Sequence, residues 1–95
     1  MTQQYLAGEL SLLLAALQET TADPVPRRWF AGLRREAETA PVGALGPVAQ
    51  RALQLNDALC YESLARSDSA AFRRQCAAGA ELYEFGICAG LIDEE

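Results

Sequence analysis

The sequence contains no histidine and no lysine. Without an imidazole there can be no Ser-His or Cys-His nucleophile, no phosphohistidine, no Glu-x-x-His di-iron bundle and no Cys2His2 zinc site. The carboxylates form no catalytic pair on an apolar face, because Glu81 and Glu84 fall on a helix flank and Glu9 falls at a helix margin. We therefore predict that the chain is not an enzyme, has no catalytic residues and holds no metal or cofactor.

Cysteine is scarce and has no paired motif. Cys60, Cys76 and Cys88 lie 16 and 12 positions apart and include no CxxC sequence. Structural zinc sites need short paired spacings, and an odd number of cysteines is unlike a disulfide framework. We expect reduced thiols in a reducing compartment. Cys76 is predicted to face inward and Cys88 to be the most accessible, with a redox role left open.

A basic leader and a long apolar run are also missing. The opening segment MTQQYLAGELSLLLAAL has no basic residue and is interrupted by Glu9, so it is typical neither of a signal peptide nor of a membrane-spanning helix. A net charge of −5 makes nucleic acid an unlikely partner. We predict a cytoplasmic protein with no membrane partner. Arginine without lysine, together with abundant alanine, is typical of a GC-rich bacterial genome.

Apolar residues recur at helical spacing along the whole chain, and no segment shows the alternation of a strand. Asp23 is a good N-cap and Pro24 a good first helical residue. Short loops between long amphipathic helices favour antiparallel neighbours. We predict one all-α domain over residues 1–95. The domain is an antiparallel four-helix bundle, and homodimerisation is one way to complete its core. The predicted helices cover about 3–19, 24–39, 45–66 and 68–90, and an acidic tail follows at 93–95.

The fourth predicted helix is apolar on two sides. One stripe contains Phe72, Cys76 and Tyr83, and at about 100° per residue a second stripe around Leu82 and Phe85 lies roughly opposite. Because a domain of this size buries only about two-thirds of its unfolded surface, the helix is either central or half of an interface. We predict that the second stripe is the interface, with a further patch on the first helix. The predicted interface residues are Tyr5, Leu12, Ala78, Leu82, Phe85 and Ala89.

Asn56 is a polar residue in the apolar half of the third predicted helix. A buried amide that finds no partner costs about 1–3 kcal/mol, so its side chain needs one. A backbone carbonyl or a tyrosine hydroxyl of the same chain is one candidate. Control of helix register in a dimer and contact with a ligand are the others.

Four arginines cluster on the second predicted helix, where Arg27 and Arg34, like Arg28 and Arg35, stand seven positions apart. They form either a solvated face with salt bridges inside the chain, a docking face for an acidic protein surface, or a DNA-binding face.

A pocket inside the bundle is the alternative to a protein interface, since facing helices can hold a small apolar ligand. In order of preference, the sequence predicts a homodimeric regulator or adaptor that binds itself or another protein, a binder of a small apolar ligand, and a DNA-binding regulator. The predicted pocket residues are Trp29, Phe30, Phe72, Cys76 and Tyr83.

Overall fold

A computed structural model describes residues 2–41 and 43–92, which contain four α-helices and no strand. The helices are α1 (Gln3–Thr20), α2 (Pro24–Thr39), α3 (Leu45–Ala65) and α4 (Ser69–Cys88). Helix α1 packs mainly on α2, and α3 packs mainly on α4, while α1–α4 and α2–α3 contacts close the bundle. The predicted all-α four-helix bundle is thus confirmed, with boundaries that agree within two residues. The acidic tail at 93–95 lies outside the described residues.

Side-chain caps explain where three of the helices begin. Thr2, Asp23 and Asp68 each accept a hydrogen bond from a backbone N–H in the first turn of α1, α2 and α4. These N–H groups have no partner inside the helix, so each cap stabilises a helix start by about 1 kcal/mol.

A Schellman turn ends α4. Gly90 adopts a φ of 72°, which glycine tolerates without steric cost. The Leu91 N–H then donates to the Gly86 carbonyl at 2.8 Å, and the Gly90 N–H donates to the Ile87 carbonyl at 3.2 Å. Leu91 packs against the core, so this turn directs the chain back over the bundle.

The core lies where the apolar stripes of the four helices meet. Helix α1 supplies a leucine ladder, α2 supplies Phe30 with smaller neighbours, and α3 supplies mainly small residues. Small side chains on α3 let the other helices approach closely. The largest fully buried apolar side chains are Leu10, Leu14, Leu17, Phe30, Leu45 and Leu82.

On α4, the apolar side that was predicted to be an interface faces the core, and the other apolar side faces solvent. Leu82 is fully buried, and Ala78 and Phe85 pack against the core, whereas Cys76 and Tyr83 are exposed. Leu82 is therefore a core residue, and its prediction as an interface residue is wrong, whereas half-buried Ala78, Phe85 and Ala89 leave the rest of that interface a prediction. Periodicity reveals that two faces exist, but the two stripes are similarly apolar, so it does not decide which one meets α1.

The first helix carries the remaining part of the predicted interface. Tyr5 and Leu12 are both exposed on α1, so this patch stays a prediction. None of the four described helices combines the length and the apolar character that crossing a membrane requires.

Candidate interaction surfaces

An open groove of about 610 Å³ runs between α3 and α4. On its α3 side, Tyr61 is 74% exposed and Leu64 is 56% exposed. We call it the α3–α4 groove. Its apolar lining comes from Leu53, Tyr61, Leu64, Phe72, Ala80 and Tyr83.

The base of the α3–α4 groove is a buried polar contact. Asn56, only 2% exposed, donates from Nδ2 to the Gln75 carbonyl at 3.0 Å, and Ser63 Oγ donates to Gln75 Oε1 at 2.8 Å. Asn56 Oδ1 is buried and has no partner among the described residues. Asn56 therefore takes the backbone-carbonyl partner predicted as one alternative, and the register it fixes is that of α3 against α4 within one chain.

Gly79 allows this contact to form. A Cβ atom placed on Gly79 would overlap Asn56 Nδ2, well inside van der Waals contact. The glycine thus leaves the space that the Asn56 amide occupies, and it brings α3 and α4 close together at the base of the groove.

Two thiols meet in the same groove. Cys76 Sγ lies 4.0 Å from Cys60 Sγ. Cys60 is buried, while Cys76 and Cys88 are exposed, so the expectation that Cys76 faces inward is wrong. Burial raises the pKa of the Cys60 thiol to about 11, and the hydrogen bond and charge of Cys76 and the charge of Asp57 add to the rise. Cys60 is therefore protonated at neutral pH.

A second groove, of about 710 Å³, runs between α2 and α3. Its floor includes Leu33, Leu55 and Trp29, which is 56% exposed. We call it the α2–α3 groove. Its charged lining comes from Arg28, Arg35, Arg51 and Glu36.

The predicted ligand pocket is not one cavity. Trp29 opens onto the α2–α3 groove, Phe30 is fully buried in the core, and the other three residues belong to the α3–α4 groove. Adjacent residues of a helix point about 100° apart, which is why Trp29 and Phe30 do not share a surface. The prediction of a single pocket with Phe72, Cys76 and Tyr83 is therefore wrong.

The predicted arginine face is divided between two sides of α2. Arg28 and Arg35 line the α2–α3 groove, whereas Arg34 donates from Nη1 to Gln18 Oε1 of α1 at 3.2 Å and Arg27 is exposed outside the groove. Within residues 2–41 and 43–92, none of these four makes an ion pair. Arg51 of α3, which is not part of the predicted arginine face, also lines this groove. Its Nη2 atom forms an ion pair with Glu36 Oε2 at 3.0 Å.

The molecule is thus a four-helix bundle with two open, partly apolar grooves on opposite flanks of α3. Over the described ranges, no cluster of three or more carboxylates and thiols is placed to hold a metal ion. Comparisons with models of protein families, with curated proteins and with solved structures gave no match. Function is therefore inferred from the residues that line the two grooves.

Proposed function

We propose that the chain is a non-enzymatic protein-interaction module that forms a homodimer through the α3–α4 groove. The observation that carries the proposal is the apolar surface left open there by Tyr61 and Leu64, which are both more than half exposed. Covering such a surface removes apolar area from water and is favourable. In the cytoplasm, where free thiols like those of this chain persist, the dimer would serve as a regulator or adaptor.

A second copy of the chain fits this groove better than a charged partner does. Two antiparallel helices present a face that another helix pair complements, and two-fold symmetry supplies that pair from the same sequence. Asp57 is the one charged residue in the described groove lining. Two chains of net charge −5 can therefore meet there with little like-charge repulsion.

The double variant Tyr61→Glu/Leu64→Glu tests the proposal. Both side chains are exposed, so the variant is expected to keep its helical circular dichroism. Placing two carboxylates in the contact is expected to weaken dimerisation by about a hundredfold or more, because central aromatic and aliphatic anchors carry most of the binding energy. Sedimentation equilibrium of the reduced protein over a wide concentration range measures this change.

The matched control is Tyr5→Glu/Leu12→Glu, which places the same substitutions on exposed residues of α1 and is expected to leave the dimer intact. A wild-type chain that stays monomeric at every concentration would refute the proposal. A dimer that the α1 variant dissociates and the groove variant does not would assign the interface to the Tyr5 and Leu12 patch instead.

A second candidate function concerns the α2–α3 groove, as a docking site for an acidic amphipathic segment of another protein. The observation that favours it is an exposed Trp29 beside three arginines, with Glu36 as the one carboxylate of the described lining. The apolar floor accepts the apolar face of a helix, and the arginines complement its acidic flanks. A DNA backbone would use the arginines and leave the floor uncovered.

Calorimetric titration with two synthetic helical peptides tests this candidate. Both carry leucines at i, i+3 and i+7, and their other positions are glutamate in one peptide and lysine in the other. We expect only the glutamate peptide to bind. Arg28→Glu is expected to weaken binding about tenfold, while Arg27→Glu, the neighbouring exposed residue outside the groove, is expected to have much less effect. Equal effects of the two variants, or tighter binding of a DNA oligonucleotide, would contradict the candidate.

A further inference from the structure

We propose that Cys60 and Cys76 are an oxidation site, at which the chain forms an intramolecular disulfide between α3 and α4. The two sulfur atoms are 4.0 Å apart, and they belong to neighbouring helices that Gly79, about one turn from Cys76, holds close together. The inference does not depend on dimerisation, since both thiols belong to one chain.

The geometry requires only a small movement. A disulfide has an S–S length of about 2.05 Å, so the sulfurs must approach by about 2 Å. Cys76 is exposed, and its outer side opens onto the α3–α4 groove, so its side chain can rotate toward Cys60. Cys60 itself can stay where it is packed.

A low-molecular-weight disulfide such as glutathione disulfide is the oxidant class that fits this pair. The Cys76 thiolate attacks one sulfur of the oxidant, breaks its S–S bond, and releases one glutathione thiolate, which takes up the proton that Cys76 lost. Cys60 then gives its proton to solvent, and its sulfur attacks the Cys76 sulfur and expels the second glutathione thiolate, which is protonated in turn. Two protein thiols are oxidised, and one oxidant molecule is reduced to two thiols.

The order of the two steps follows from the positions of the thiols. Cys76 meets the oxidant first, because Cys60 is buried and protonated. Once Cys76 carries the glutathione adduct, it no longer raises the Cys60 pKa through its thiol hydrogen bond and its charge, which are two of the causes of that rise. Burial, the largest cause of the rise, remains, and the Cys60 thiol reacts because it stands next to the sulfur that it must attack.

The test uses the full chain with Cys88→Ser, treated with glutathione disulfide at pH 8 at a protein concentration below that of self-association. Mass spectrometry is expected to show a loss of two hydrogens. Trypsin is expected to release the peptide 52–66 linked to the peptide 75–95, each of which then contains one cysteine. When the Cys88→Ser chain is unfolded before the assay, the thiols that react with dithionitrobenzoate are expected to fall from two to none.

Single substitutions separate the two roles. Cys60→Ser is expected to accumulate a stable glutathione adduct on Cys76, because the second thiol is missing, and Cys76→Ser is expected to form no internal disulfide. The proposal is overturned if the Cys88→Ser chain stops at a lasting Cys76 adduct, if it yields covalent dimers, or if its thiols remain unchanged.

Discussion

Replacing Leu82 with alanine is expected to lower the free energy of unfolding by about 2–5 kcal/mol, since the change removes buried methyl groups and leaves a cavity. Leu82 is fully buried and is the one residue of α4 among the buried apolar residues of the described chain. Replacing it with glutamate is expected to unfold the protein, because a carboxylate placed there has no partner and domains of this size have only about 5–15 kcal/mol of stability. Urea denaturation followed by circular dichroism measures both effects.

Leu12→Ala is the matched control for this prediction. It makes the same chemical change at a leucine that is 67% exposed, and it is expected to cost less than about 1 kcal/mol. If the two alanine variants unfold at the same urea concentration, then Leu82 does not lie in the core. It would instead be available to the predicted interface along α4.

The second large effect is expected at Gly79. Alanine is the better helix former by about 1 kcal/mol, so the change would ordinarily stabilise a helix. Here the added methyl would overlap Asn56 Nδ2, and that amide cannot simply turn away because it is buried and bonded to the Gln75 carbonyl. We expect Gly79→Ala to destabilise the protein by about 1–3 kcal/mol, as overpacked cores do.

A double-mutant cycle isolates the cause. In an Asn56→Ala background the methyl has room, so Gly79→Ala is expected to cost little there, which gives a coupling energy of about 1–3 kcal/mol. Gly8→Ala is the control, because Gly8 is helical with nothing within 4 Å of its added Cβ, and it is expected to stabilise slightly. If Gly79→Ala behaves like Gly8→Ala, then the close contact with Asn56 does not exist.

The helices themselves were predictable because their signals are local. Asp23 and Pro24 identify the start of α2, and Gly90 identifies the end of α4, since each has a conformational or hydrogen-bonding reason to stand there. The apolar periodicity between these positions then gave the helix lengths. No information from distant parts of the chain was needed for this level of structure.

The orientation of the helices was harder to predict because it depends on which neighbours meet. The sequence places Trp29 with Phe30 in a pocket inside the bundle. On α2, however, Trp29 lies at the edge of the apolar arc whose centre, at Phe30 and Leu33, faces the core, so a small rotation of the helix exposes it. On α3, an apolar arc of about half the helix circumference exceeded what one core could cover. That width was the available signal for the groove beside Tyr61 and Leu64.

The exposure of Trp29 also has a spectroscopic consequence. It is the only tryptophan in the chain, and more than half of its surface already faces water in the folded state. Its emission should therefore change little when the bundle unfolds, whereas anything that covers the α2–α3 groove should shift it. The intrinsic fluorescence of this protein is thus a reporter of occupancy at one surface rather than of folding.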